Sequence, residues 1–253
     1  KLVQIKLTFT MSAFTKCFRP VSNYPADFKD LAIWLRADSG VTFDIPTKKV
    51  SAWSDKSGND NNAAQNTKTK QPLRYGYGGQ NDKEYFSFDG TANTIPSVSN
   101  SPIGSDFTIF EVSRIDDQGN TIFGYSYLDK SISIGLDDSG YFTTAISDSV
   151  TPISKTTEIV NKGSNHIGML SKELDVINLR YYDDANTIVG AATDEEFDDS
   201  TVFNESSFNI GSLDGTNELT RGNLQELIVY NRKLSDSEID KVVGYLNLKY
   251  KIY

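Results

Sequence analysis

Turn signals recur along this chain at spacings of about ten residues and divide it into short segments. Clusters of Asp, Asn and Gly mark the turns, because these residues tolerate a tight backbone and close it with their side chains. The segments between the turns are rich in β-branched and aromatic residues, which favour strands. They are Tyr85–Phe88, Phe107–Ile115, Thr121–Tyr125, Ser131–Leu136, Tyr141–Ser147, Val176–Tyr182, Phe208–Ser212 and Leu224–Tyr230. This pattern predicts an all-β sandwich or barrel.

The C-terminal segment departs from the strand pattern and predicts an amphipathic helix of about four turns. Ser235 and Glu238 have the spacing of a capping box, in which each side chain bonds a free backbone amide of the first turn. Apolar residues then recur at helical spacing. They are Ile239, Val242, Val243, Leu246 and Tyr250. A second, shorter helix is predicted over Phe28–Trp34, after Pro25 and a capping Asp27.

The composition excludes several classes of protein. The chain has 253 residues, 25 Lys and Arg against 34 Asp and Glu, and a formal net charge of -9, which disfavours a nucleic-acid partner. Cys17 and His166 are the single cysteine and histidine, so an internal disulfide and a structural zinc site are excluded. No apolar run approaches the length of a membrane-spanning helix, so we expect no membrane insertion.

The first ten residues alternate apolar and polar side chains, with Val3, Ile5, Leu7 and Phe9 on one face. This alternation predicts a strand. We assign residues 1–27 to an N-terminal arm or extra strand and residues 28–253 to one domain. A free strand of this kind can extend a neighbour's sheet, so the arm predicts a homo-oligomer or larger assembly.

Three phrases carry a resemblance to a known superfamily. They are Leu31–Asp38 (LAIWLRAD), Val50–Asn59 (VSAWSDKSGN) and Gly222–Ser235 (GNLQELIVYNRKLS). Together they resemble the concanavalin A-like, laminin-G-like jelly-roll superfamily of bacterial surface proteins and phage structural proteins. The resemblance extends over about residues 28–253 and implies a two-sheet antiparallel jelly-roll sandwich whose last strand leads into the C-terminal amphipathic helix.

The residues of these phrases also have a structural interpretation of their own. Trp34 and Trp53 alternate with polar residues, so we expect both in the core, provided that each indole N–H finds an acceptor. Tyr230, Asn231 and Arg232 lie where a strand passes into a helix. There the Asn and Arg side chains can satisfy open backbone groups.

Because the superfamily includes glycoside hydrolases and polysaccharide lyases, we searched for catalytic residues. Retaining glucanases of this fold carry closely spaced carboxylates on one strand. The nearest run here is Glu111–Asp116, whose two carboxylates fall on opposite strand faces. His166 is interpreted as an ordinary strand residue, and Cys17 has no neighbour that would activate it. We therefore predict no catalytic residue and a protein that is not an enzyme.

The resemblance makes calcium possible, although no cofactor is required. Calcium sites in the superfamily use Asp and Asn side chains and backbone carbonyls at the sandwich edge, in keeping with the oxygen ligands that the ion prefers. The candidate metal ligands are Asp55, Asn59, Asp60 and Asp89, with the pair Asp137 and Asp138 as a further possibility. The alternative is that these residues only close turns, as Asx-rich loops do without metal.

One loop has the composition of a sugar-binding site. Tyr75 and Tyr77 offer aromatic faces, Asn81 offers an amide, and the glycines between them permit close approach of a ligand. Tyr127 belongs to a similar short segment. The alternative is a hairpin whose tyrosines cap the edge of the sandwich.

These observations predict a non-catalytic surface recognition or adhesion module that binds a glycan or a protein surface. Its expected location is a virion, the extracellular space or the cell surface. One alternative is a purely structural virion component, such as a capsid decoration, fibre or tail protein. A second is a polysaccharide-active hydrolase or lyase with an unfamiliar site.

Overall fold

A computed structural model of the protein describes residues 25–97, 103–117, 119–127, 130–147, 152–159, 162–174, 176–183, 187–189, 193–194 and 208–253. The predicted N-terminal arm, apart from residues 25–27, lies outside these ranges, and so does its predicted role in assembly. None of the helices in the described part of the chain is long and apolar enough to cross a membrane.

The larger of the two main sheets has nine strands. They are β1 (Leu31–Arg36), β5 (Leu73–Tyr75), β6 (Tyr85–Asp89), β8 (Phe107–Ile115), β13 (Asn165–Glu173), β14 (Val176–Tyr182), β15 (Thr187–Val189), β16 (Thr193–Asp194) and β18 (Arg221–Tyr230). The strand order is β15-β14-β13-β8-β18-β6-β5, with β1 paired to β18 and β16 paired to β14. The long strands β8 and β18 therefore lie at its centre.

The second main sheet has six strands in the order β12-β11-β10-β9-β17-β7. They are β7 (Ile95–Pro96), β9 (Asn120–Tyr127), β10 (Lys130–Leu136), β11 (Tyr141–Ser147), β12 (Pro152–Ile159) and β17 (Phe208–Ile210). A small third sheet contains β2 (Val41–Phe43), β3 (Val50–Trp53) and β4 (Ala63–Ala64). The chain ends in helix α1 (Asp236–Tyr250), and short 3₁₀ turns occupy Pro25–Asp27, Lys68–Lys70 and Gln80–Asp82. The predicted antiparallel two-sheet sandwich with a C-terminal helix is confirmed.

The main core fills the space between the two sheets. Alternate residues of β8, such as Phe107 and Ile109, face Ile134 and Phe142 of the six-stranded sheet, and all four are fully buried. Trp53 is also fully buried, and its indole N–H donates to the Arg36 carbonyl at 2.8 Å. Its predicted place in the core is therefore confirmed.

A second core lies between α1 and the outer face of the nine-stranded sheet. All five residues of the predicted apolar face of α1 are buried there, against β8, β13 and β18. The capping box of Ser235 and Glu238 is present. Arg232 Nε donates to the Lys29 carbonyl at 3.3 Å and its Nη2 donates to Glu238 at 2.7 Å, and Asn231 accepts the backbone N–H of Gly104 at 2.6 Å. The predicted roles of these junction residues are confirmed.

The predicted helix over Phe28–Trp34 is wrong, because Leu31–Arg36 forms strand β1 beside β18. Asp30 has a φ of 62°, which a continuing helix does not allow. Both faces of β1 are covered, since Ile33 faces the main core while Trp34 lies under α1. A strand buried on both faces is a continuous apolar run, which hydrophobic spacing alone does not distinguish from a helix.

A buried carboxylate joins the helix to the sheet. Glu226 of β18 is completely buried, and its Oε1 accepts the Trp34 indole N–H at 2.7 Å and the Tyr245 hydroxyl at 2.9 Å. Its Oε2 accepts Lys249 Nζ at 2.6 Å and the Tyr250 hydroxyl at 2.7 Å. Hydrogen bonds to a charged acceptor are the stronger kind, so this cluster fixes where α1 sits on the sheet.

We expect Glu226→Gln to lower the free energy of unfolding by about 1–3 kcal/mol, because the amide nitrogen replaces one buried acceptor with a donor that faces other donors, while Lys249 keeps Asp38 at 3.2 Å as a charged partner. Chemical denaturation measures this difference. Glu173→Gln is the matched control: its carboxylate pairs with Lys233 at the surface, where such a pair contributes less than about 1 kcal/mol. Equal effects of the two substitutions would contradict the assigned role of Glu226.

The same cluster predicts loss of stability in alkali. Burial, and then the negative charge of Glu226, raise the pKa of Tyr245 and of Tyr250 well above the ordinary value of 10.0. Their contribution to stability is therefore complete below pH 10 and declines at higher pH, because only the unfolded chain loses these protons. Urea denaturation between pH 9 and 11 measures the slope. Over this range Tyr245→Phe and Tyr250→Phe should each reduce the total loss of stability by about 1.4 kcal/mol, because the slope for one tyrosine reaches about 1.4 kcal/mol per pH unit only well above pH 10. An unchanged slope would contradict the assignment.

Candidate ligand-binding site

The outer face of the six-stranded sheet carries short, polar side chains. Strand alternation sends Ile132, Ile134 and Phe142 into the core, so their neighbours point outward. The outward residues at the centre of this face are Thr121, Ser133, Gly135, Thr143 and Ala145. Because α1 covers the outer face of the nine-stranded sheet, this is the main sheet face that the described helix leaves open.

These short residues form the floor of a groove with a volume of 390 Å³. Its size falls within the range of pockets that bind small ligands. At one end the groove is bounded by Asp137 and Asp138, which follow β10, and by Glu218, which precedes β18. The predicted calcium pair Asp137 and Asp138 therefore lies at the rim of this groove.

The loop before β18 holds Glu218 at the rim. The Thr121 hydroxyl donates to Glu218 Oε2 at 2.5 Å, and the Thr121 N–H donates to the Glu218 carbonyl at 3.1 Å. The loop packs directly on the backbone of β9 at Gly124, where any side chain would collide with Leu213. Partial burial alone would raise the pKa of Asp214. Hydrogen bonds from Asn217 and Thr216 outweigh this effect and lower the pKa to about 2. The loop is thus closed by an ionised Asp at neutral pH.

The hairpin between β10 and β11 supplies the other two carboxylates. Asp137 Oδ1 accepts the N–H groups of Ser139 at 2.8 Å and Tyr141 at 3.0 Å, which closes the turn. Asp138 is exposed. No Lys, Arg or His lines the groove within the described residues. The site therefore offers hydroxyl groups on its floor and carboxylate acceptors on its rim.

The predicted sugar-binding loop lies elsewhere, at the β5–β6 edge of the nine-stranded sheet. Tyr75 stacks on Tyr85 with ring centroids 5.0 Å apart, and Lys48 Nζ lies 4.7 Å from the Tyr75 centroid. Asn81 Nδ2 donates to the Lys249 carbonyl at 2.9 Å and so ties the loop to α1. Tyr77 is 81% exposed. Of these three predicted residues, Tyr77 extends furthest into solvent.

Tyr127, the remaining predicted ligand residue, is on β9, and its side chain lies outside the described residues. Its strand belongs to the six-stranded sheet, whereas Tyr75 is on β5 of the nine-stranded sheet. The predicted set of four ligand residues is divided between two sheets.

Asp55 and Asn59, predicted as calcium ligands, bond the backbone at the free edge of β1. Asp55 Oδ1 accepts the N–H groups of Trp34 and Ser57, both at 2.8 Å. Its Oδ2 accepts the N–H of Asn61 at 3.1 Å. Asn59 Nδ2 donates to the Leu31 carbonyl at 2.7 Å. These side chains satisfy groups that a neighbouring strand would otherwise bond.

The other two predicted metal ligands are in tight turns. Asp60 has a φ of 57°, and its carbonyl accepts the N–H of Asn62 at 2.8 Å. Asp89 Oδ1 accepts three successive backbone N–H groups, from Thr91 to Asn93, at 2.9–3.2 Å. No group of three or more His, Cys, Asp or Glu side chains is placed to hold a metal ion in the described part of the chain.

His166 is a buried strand residue with an acidic partner that the sequence analysis did not identify. Its Nε2 lies 3.0 Å from Glu111 Oε1 and 3.2 Å from Ser113 Oγ, inside the sandwich. Both partners meet the same ring nitrogen, whereas a catalytic triad uses the two nitrogens separately. Gly168 makes room for this pair, since a side chain there would collide with Glu111. The sequence did contain one sign of this pair, because Glu111 lies on the apolar face of β8, where a buried carboxylate needs a partner.

No protein-family model matches the chain, and no curated protein has a matching sequence. Several solved structures share its fold. Domain 4 of AbnA, a GH43 extracellular arabinanase from Geobacillus stearothermophilus solved with arabinotriose, is 13% identical, with a TM-score of 0.59 over 84% of this chain and 98% of that domain. An arabinofuranosidase complexed with arabinofuranosyl-α-1,2-xylobiose is 11% identical, with a TM-score of 0.59 over 88% of this chain and 60% of that one.

The receptor-binding domain of botulinum neurotoxin type G is also similar, with 12% identity and a TM-score of 0.57 over 86% of this chain and 52% of that one. The chain thus spans little more than half of the arabinofuranosidase and toxin chains. At these identities the likeness concerns the fold alone. The chain therefore has a β-sandwich fold that is shared by these three structures.

Proposed function

We propose that this protein is a non-catalytic glycan-binding module of an extracellular or cell-surface location, and that the groove on the six-stranded sheet holds the glycan. The observation that carries this proposal is the 390 Å³ groove with a floor of hydroxyl groups and glycine and a rim of three carboxylates. The groove is open to solvent and lies on strands β9, β10 and β11 at the centre of the sheet.

The lining suits the hydrogen bonding of a sugar. Each sugar hydroxyl is both a donor and an acceptor, and an ionised carboxylate accepts up to four hydrogen bonds. Thr143 and Ala145 are partly exposed on the floor, and both side chains are short enough to leave room for a ring that lies flat on the sheet. Asp138 and Glu218 are exposed beside them and can each accept from sugar hydroxyls.

The comparisons support this proposal at the level of ligand class. Two of the similar structures were solved with arabinose-containing oligosaccharides. A shared fold does not specify a ligand, so we base the proposed ligand class on the groove as well. Membership of the concanavalin A-like, laminin-G-like superfamily is part of the same proposal. The virion alternatives depend on residues 1–10, outside the described ranges.

The proposed non-catalytic role is supported by how two of the three groove carboxylates are used. Asp137 closes a turn and Glu218 holds the Thr121 hydroxyl. A glycosidase instead keeps two carboxylates free, one on each side of the bond that breaks. We therefore propose binding without turnover. Incubation with each bound glycan, followed by chromatography of the products, tests the hydrolase and lyase alternatives.

The test of the function is a glycan array, run with calcium and with chelator, followed by calorimetric titration of the best ligands. We expect specific binding that Ala145→Tyr weakens at least roughly tenfold, because a bulky side chain fills the groove floor; one lost hot-spot contact has this size. Tyr is favoured in strands, so the variant should keep its melting temperature.

Tyr77→Ala is the matched variant for the other predicted loop, and we expect it to bind as the wild type does. Loss of binding with Tyr77→Ala and not with Ala145→Tyr would move the site to that loop. Sensitivity to chelator would support the predicted calcium ion. Absence of binding to every glycan in both buffers would overturn the proposed function.

A further inference from the structure

We propose that the groove selects uncharged glycans and rejects acidic ones, an inference that rests on the proposed function. The groove is bounded by Asp137, Asp138 and Glu218, while no cationic side chain lines it within the described residues. The chain as a whole is also acidic, with a formal net charge of -9 that includes these three carboxylates. A ligand that carries carboxylates or sulfates therefore meets negative charge at the rim.

Among the described side chains, two arginines that are close to the groove along the chain are paired with acidic residues. Arg114 Nε lies 2.9 Å from Asp116 Oδ1, and Arg221 Nη1 lies 3.4 Å from Asp117 Oδ2. These four residues lie at the end of β8 and at the start of β18. Their charges cancel in pairs, so they do not offset the three groove carboxylates.

Hydrogen bonding disfavours an acidic ligand for a second reason. A carboxylate on the ligand can only accept, and the rim carboxylates can only accept as well. One floor hydroxyl, that of Thr121, already donates to Glu218. A neutral sugar supplies the donors that this acceptor-rich rim needs, whereas an acidic sugar replaces a donor with one more acceptor.

The size of the effect follows from Coulomb attraction and repulsion in water. Two like charges about 4 Å apart repel by about 1 kcal/mol in bulk water, which corresponds to a roughly fivefold change in affinity. The Debye length is about 10 Å at 0.1 M salt and about 3 Å at 1 M. Discrimination between neutral and acidic glycans should therefore be strongest at low salt and shrink as salt is added.

The test uses pairs of ligands with the same backbone, in which the primary alcohols are either intact or oxidised to carboxylates. The probes are cellohexaose and mannohexaose, each compared with the same oligosaccharide after oxidation of its primary alcohols to carboxylates. Calorimetric titrations are run at 0.05 M and 0.5 M salt. For every probe that the wild type binds, we expect the neutral form to bind at least roughly fivefold tighter at low salt.

The double variant Asp138→Lys with Glu218→Gln reverses one rim charge and removes another, while Gln keeps an acceptor for Thr121. We expect this variant to remove or invert the preference. The control is Asp240→Lys with Glu173→Gln, which makes the same change in net charge on the helix side of the molecule. We expect the control to discriminate as the wild type does.

Three results are distinguishable from the expected one. Equal or tighter binding of the oxidised form, still weakened by Ala145→Tyr, would overturn the selectivity and leave the proposed function intact. A control variant that loses discrimination as fully as the rim variant would also overturn it, because the effect would then come from net charge. Failure of all probes and of the glycan array would overturn the proposed function, and the selectivity with it.

Discussion

The position of helix α1 on the large sheet depends on the hydrogen bonds of the buried Glu226 carboxylate. This carboxylate lies on a central strand of the large sheet and accepts from Trp34 on β1 and from three side chains of α1. A charge at this depth would be costly without partners, but here donors approach both oxygens. The cluster thereby anchors the helix on one face of the sandwich. Because α1 covers the outer face of the nine-stranded sheet, the candidate site lies on the outer face of the six-stranded sheet.

The residues that identify the fold and those that form the candidate site are different sets with different chemistry. Trp53 and Asp55, from the second recognisable phrase, bury an indole and satisfy backbone groups at the edge of β1. Arg232, from the third phrase, secures the capping box. The groove is made of Thr, Ser, Gly and Ala on ordinary strands, together with turn carboxylates. A shared fold therefore says little about which ligand the groove takes.

The sequence predicted the features that depend on local pattern. The alternating strands, the capping box and the apolar face of α1 were all found as expected, because each depends on spacing within one segment. The helix over Phe28–Trp34 was wrong because burial on both sides removed the alternation that marks a strand. The roles of Glu226 and Glu111 could not be predicted, since their partners come from distant segments. The groove could not be predicted, because short polar residues on a strand do not indicate whether the surface around them is concave.

The most direct test of this account is a crystal structure of the full chain with the oligosaccharide that binds it most tightly. The account predicts a sugar ring over Ala145 and Thr143, with its hydroxyls donating to Asp138 and Glu218. The tyrosines of the β5–β6 loop would be free of ligand. A sugar stacked on Tyr77, with the groove holding only solvent, would contradict the assignment of the six-stranded sheet as the binding face.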